Sequence, residues 1–154
     1  MRIPRLRYYR YRLAAKAQLY GDQTLWWVFN DKGNVHSESG GLPIGIEVHA
    51  QAFAFSTNDE VNNMTFYKYK IFNRSSFTVE DCYFGQWVDS DLGKYNDDYV
   101  GCDVTRGLGF TYNGDADDDG QFGYGINPPA AGLDFLKVRL LMLTMVLITI
   151  KTVL

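Results

Sequence analysis

Residues 40–56 read GGLPIGIEVHAQAFAFS, and their alternation decides the fold. Ile44, Ile46, Val48, Ala50, Ala52 and Ala54 fall on one side, with Glu47, His49 and Gln51 on the other. A period of two sends successive side chains to opposite faces, so this stretch is a strand with one buried side. TFYKYKIFN at 65–73 repeats the pattern, with Tyr67, Tyr69 and Ile71 opposite Lys68 and Lys70. TLWWVFND at 24–31 is an apolar and aromatic run closed by the turn signal Asn30-Asp31-Lys32-Gly33.

The run FTVEDCYFGQWV at 77–88 starts in one phase with Phe77 and Val79 and resumes in the other with Cys82 and Phe84. A strand with a bulge near Glu80 and Asp81 would account for that break. Short strands are also expected around residues 107–112, set within long loops rich in Asp and Gly. With no long amphipathic helix in view, the pattern predicts an all-β protein, an antiparallel β-sandwich.

Composition agrees. The 154 residues are 46% hydrophobic and 16% aromatic, with 15 Gly, which suits strands and turns better than helices. The net charge of −3 conceals a partition. Residues 1–16 carry six basic side chains and no acid; 17–136 carry all 18 acids against six basics; 137–154 carry three basics and no acid. An acidic body excludes a nucleic-acid backbone as partner, because such binders need a basic footprint. The basic arm lacks the apolar core of a secretory signal.

GDQTLWWVFNDKGNVHSESGG, FYKYKIFNRSS and YFGQWVDSDLGKYNDDYVGCDVTRGLGFTYNGD, continued by GYGINPPAAGLDF, resemble a module of large secreted surface proteins of Bacteroidetes bacteria. Such proteins end in a type IX secretion sorting domain. The resemblance spans residues 19–136. It implies an extracellular or outer cell-surface location in a parent protein, and it brings no catalytic residues with it.

The ends depart from that resemblance. LKVRLLMLTMVLITIKTVL at 136–154 holds only 11 residues between Arg139 and Lys151, too few for a spanning helix of about 20. Back-translation in a shifted frame turns this tail, and the basic arm, into acid-rich strings like the body. The expected organisation is therefore a basic arm at 1–18, out of frame or disordered, a β-sandwich module at 19–136, and an out-of-frame apolar tail at 137–154. A genuine buried terminal helix or strand is the competing reading.

Several constellations bear on function. Asp115, Asp117 and Asp119 before Gly120 open like an EF-hand calcium loop, but Ile126 stands where the bidentate acid belongs. A looser calcium site would draw on Asp89, Asp91, Asp97, Asp98 or Asp103; a solvated acidic loop is the plain alternative. Trp26, Trp27 and Trp87 would make a sugar-stacking platform, although neighbours Trp26 and Trp27 must face opposite ways on a strand. Cys82 and Cys102 are either one disulfide or two free thiols. His36 and His49 have no ligand-spaced companions. Glu38, Glu47, Glu60 and Glu80 are the only glutamates from which a glycosidase pair could be drawn.

The sequence thus points to a non-enzymatic structural or ligand-contact module, calcium-stabilised. The alternatives are a carbohydrate-active module, lectin-like or hydrolytic, and a frameshifted fragment without a function of its own. Expected partners are glycans or neighbouring domains of the parent.

Overall fold

The computed structural model describes residues 18–139 and 143–152. All-β architecture with antiparallel pairing is what it shows. The strands are β1 (Gln23–Asn30), β2 (Ile46–Ala54), β3 (Met64–Asn73), β4 (Asp98–Asp103), β5 (Leu108–Asn113), β6 (Asp117–Asp118), β7 (Gly125–Ile126), β8 (Ala130–Arg139) and β9 (Leu143–Thr152). Seven make one sheet in the order β1-β2-β3-β9-β8-β5-β4, and β6 with β7 form a two-stranded ribbon. Among the described residues, then, there is one large sheet rather than two packed face to face.

The alternating segments pair as their periodicity requires. Val48 stands opposite Ile71, Ala50 opposite Tyr69 and Ala52 opposite Tyr67, so the apolar sides of β2 and β3 share a face. Val48 and Ala50 are buried there. The opposite face carries Glu47, His49 and Lys68, with the Phe53 and Phe66 rings stacked at a centroid distance of 5.3 Å.

Residues 77–88, expected as a bulged strand, are instead irregular. They belong to a strap, residues 74–97, that carries the chain from β3 to β4 at the far edge of the sheet. Phe84 lies 6.0 Å from the Tyr69 ring, which places the strap over the Val48–Ala50 face. The break in phase falls at Asp81, whose φ of 48° turns the chain out of an extended run.

The apolar tail is the larger surprise. Leu143–Thr152 forms β9, paired to β3 on one side and β8 on the other. Its place at the centre of the sheet differs from the expectation that residues 137–154 stand apart from the body. The competing reading, a terminal strand, describes residues 143–152, whose Leu, Val, Ile and Thr content suits an extended, paired backbone. The basic arm, apart from Gln18, lies outside the described residues.

Candidate functional site

Of the acidic residues singled out above, only Asp97, Asp98 and Asp115 lie at one end of the β4–β5 ladder, and they do not form an EF-hand. Asp98 begins β4 and Asn113 ends β5, and the two stand directly opposite. The Asp97 carbonyl accepts the Gly114 amide at 2.9 Å, which holds Asp97 beside the same ladder end. Asp98 Oδ2 accepts the Leu92 amide at 2.8 Å. Two residues on, the Lys94 amide donates to Asp118 Oδ1 at 3.2 Å, and Asp118 Oδ2 accepts the Tyr124 amide at 2.7 Å. Asp98 and Asp118 thus grip the end of the strap from two sides.

Asp118, not its neighbours, is the enclosed carboxylate, at 1% exposure. Sequence reasoning passed over it because it falls between the alternating positions. Gly93 is the signal that could have found it. With φ at +61°, a Cβ there would lie 1.9 Å from Asp118 Oδ2, so only glycine lets the strap approach.

Asp115, Asp117 and Asp119 point elsewhere. Asp115 Oδ1 accepts the Asp117 amide at 2.9 Å in a local turn, and all three side chains are exposed. Asp119 pairs with Lys94 Nζ at 2.7 Å. That ion pair pulls the Asp119 carboxyl below, and pushes the Lys94 ammonium above, its ordinary value. Asp89 and Asp91 are exposed on the strap. Asp103 closes the other end of β4, against Arg106 at 3.5 Å, five residues and about 17 Å from Asp98.

Three buried side-chain oxygens lack a hydrogen-bond partner among the described residues: Asp97 Oδ1, Asp98 Oδ1 and Asn113 Oδ1. No three His, Cys, Asp or Glu side chains among the described residues converge as a metal site. The third residue of this set is an amide.

The aromatic platform is not assembled. Trp26 and Trp27 lie on opposite faces of edge strand β1, and Trp87 sits on the strap near β4 and β5, 83% exposed. Trp26, 63% exposed, stands edge-on to His49 at 5.7 Å. Beside it, Glu47 Oε1 meets Arg74 at 2.7 Å and His49 at 2.8 Å. Hydrogen bonds from Arg74 and then His49 draw the Glu47 carboxyl below its ordinary range, against a smaller opposing effect of burial. Glu80 belongs to the strap, over the other face from Glu47, so these two do not flank a common cleft.

Cys82 and Cys102 are both free and exposed. Cys82 lines the groove beside Tyr69 and Ile71 of β3, whereas Cys102 is on β4, four strands away in the sheet. Comparison of this chain with protein-family models, curated proteins and solved structures finds no match.

Proposed function

We propose that this chain is a non-enzymatic contact module of a larger secreted surface protein, and that its sheet receives a neighbouring domain of that parent. The observation that carries this reading is how little of the sheet is covered. Among the residues whose burial is described, 18–136, the buried apolar side chains are Val48, Ala50, Leu92 and Pro129. Leu25, Trp26, Val28 and Phe29 of edge strand β1 are all exposed. A sheet of this breadth needs a second layer over its apolar area, and an open uncharged edge favours strand pairing with another chain or domain. In this reading the two-layer sandwich expected from the strand pattern is completed by the parent, and the long Asp/Gly-rich loops belong to its rim.

The isolated chain should therefore bind a hydrophobic dye such as ANS and self-associate as its concentration rises. A monodisperse monomer near 100 μM that leaves the dye dark overturns the proposal, because exposed patches of this kind mark interaction sites.

A glycan is the second occupant with an observation in its favour. Exposed Trp26 stands beside the hydrogen-bonding group Glu47, His49 and Arg74, and an aromatic face with adjacent polar groups suits a sugar. A glycan-array screen with Trp26→Ala as control separates this reading from the first.

A further inference from the structure

We propose that the cleft between the strap and strands β4, β5 and β8 binds one neutral sugar ring, held between Trp87 and the backbone at Gly109. The site is independent of the contact-module reading and lies toward the opposite edge of the sheet from Trp26. The cleft encloses about 280 Å³, with Gln86, Trp87 and Ser90 of the strap along one side. Its floor is the sheet face that carries Thr111 and Gly109 of β5, with Val100 opposite Thr111 on β4 and Leu133 opposite Gly109 on β8.

Gly109 sets this cleft apart from an ordinary gap. Its φ lies outside the left-handed region, and its register with Cys102 and Leu133 is unbroken, so neither a turn nor a bulge calls for glycine. A Cβ built there meets no atom within 4 Å, so the strap does not press on it either. Glycine inside a strand costs backbone entropy and forfeits a side chain that could pack; with bend, bulge and crowding set aside, the close approach of a ligand accounts for it. Beside it, Thr111 is only 8% exposed, yet its hydroxyl has no hydrogen-bond partner among the described residues. Oγ1 is not one of the sealed unpaired oxygens, so it opens on the cleft that Thr111 lines. Ser90 is unpartnered in the same way, and Gln86 commits only Nε2, which donates to the Trp87 carbonyl at 3.0 Å.

The lining defines the class of ligand. No charged side chain lines the cleft, and Asp89 and Asp91 flank Ser90 in the chain, so a phosphate or carboxylate would enter against repulsion. A wholly apolar ligand would leave the Thr111 and Ser90 hydroxyls buried without partners. A sugar ring meets both demands. Its hydroxyls serve Thr111, Ser90 and Gln86, and its weakly positive C–H face suits the negative face of an indole. Trp87, 83% exposed, has that surface free. The volume falls at the lower end of ligand cavities, about 300 Å³, which suits one ring rather than a chain.

Tryptophan fluorescence and saturation-transfer difference NMR test the assignment on the full chain. The probes are glucose, galactose, mannose and N-acetylglucosamine, with glucuronate as the anionic counterpart, each taken to about 50 mM. At least one neutral sugar should bind with a Kd of about 1–10 mM, and glucuronate about tenfold more weakly or worse. Trp87→Ala should weaken that sugar about tenfold, through loss of the stacking surface. Gly109→Val should abolish binding yet melt no lower than wild type, because valine suits a strand and has room there. Trp26→Ala should bind as wild type does. No response to any of the four sugars, equal affinity for glucuronate, or binding that survives Trp87→Ala or Gly109→Val overturns the proposal. So does binding lost in Trp26→Ala. A Gly109→Val chain that melts well below wild type, or does not fold, shows that the room is absent and overturns it as well.

Discussion

Asp31 and Ile46 are joined across the long β1–β2 loop: Asp31 Oδ1 accepts the Ile46 amide at 2.9 Å. The same carboxylate accepts the amides of Ile44 and Gly45, so one side chain closes the loop and sets where β2 begins. Burial raises the Asp31 carboxyl, but the backbone donors Ile44, Ile46 and Gly45 together bring it below its ordinary 3.8.

Asp31→Ala should therefore destabilise the protein by about 1–2 kcal/mol, the usual scale for removing a carboxylate that caps backbone amides. The pH dependence has a definite sign. A depressed carboxyl contributes fully above its unfolded value and loses that contribution as pH falls through the folded one. Denaturant titrations from pH 7 to 2 should show wild type and Asp31→Ala converging only in the acid range below 3.8. A constant gap between them across that range contradicts the role given to Asp31.

Glu47 makes a second, weaker acid-sensitive contact. Its carboxyl is drawn below 4.5 by Arg74 and His49, so its contribution is present above that value and fades as pH falls through the lowered one. Because Arg74 is well exposed, Arg74→Ala should cost only about 0.5 kcal/mol near neutral pH. High salt should shrink that difference, and a chemical-denaturation series at two ionic strengths measures it.

Gly93 is constrained twice, by its φ of +61° and by the nearness of Asp118 Oδ2. Gly93→Ala adds left-handed backbone strain to displacement of a buried carboxylate, so a loss of about 2–3 kcal/mol is expected. Gly33→Ala is the comparison, since no atom lies within 4 Å of a Cβ at that loop position. Equal melting temperatures for the two variants would show that the strap does not press on Asp118.

The edge of the sheet gives a prediction tied to association. β1 has no charged residue between Gln23 and Asn30, the type of edge that soluble β proteins usually protect with lysine. Val28→Lys should leave the melting temperature nearly unchanged, because Val28 is exposed, while weakening self-association in analytical ultracentrifugation. Unaltered association would move the contact surface away from β1.

Legibility in the sequence followed locality. Strands β2 and β3 could be read because Val48, Ala50, Tyr67 and Tyr69 alternate with polar neighbours, a signal carried within each strand. The strap could not, since Phe77–Val79 and Cys82–Phe84 are each extended-looking and only the turn at Asp81 separates them. Nor could the juxtaposition of Asp98 with Asn113, which depends on how β4 pairs with β5. The Asp115, Asp117, Asp119 spacing drew attention because it is local, and that locality is spent on a turn and an ion pair.

β9 allows the most searching test, because it joins the two halves of the sheet. Lys68 of β3 and Lys137 of β8 both stand opposite Val146, so the backbone there is paired on both sides. Proline at that point removes an amide donor from a central strand and clashes with its surroundings, at a cost of about 3 kcal/mol or more. Val146→Pro should lower stability by that amount, and ending the chain at residue 139 should do worse. Without β9, β1-β2-β3 and β8-β5-β4 share no ladder, so cooperative unfolding should be lost and amide exchange should quicken in β3 and β8 together. Two-state melting and unchanged protection of both strands after truncation would show that the tail is no part of the folded sheet.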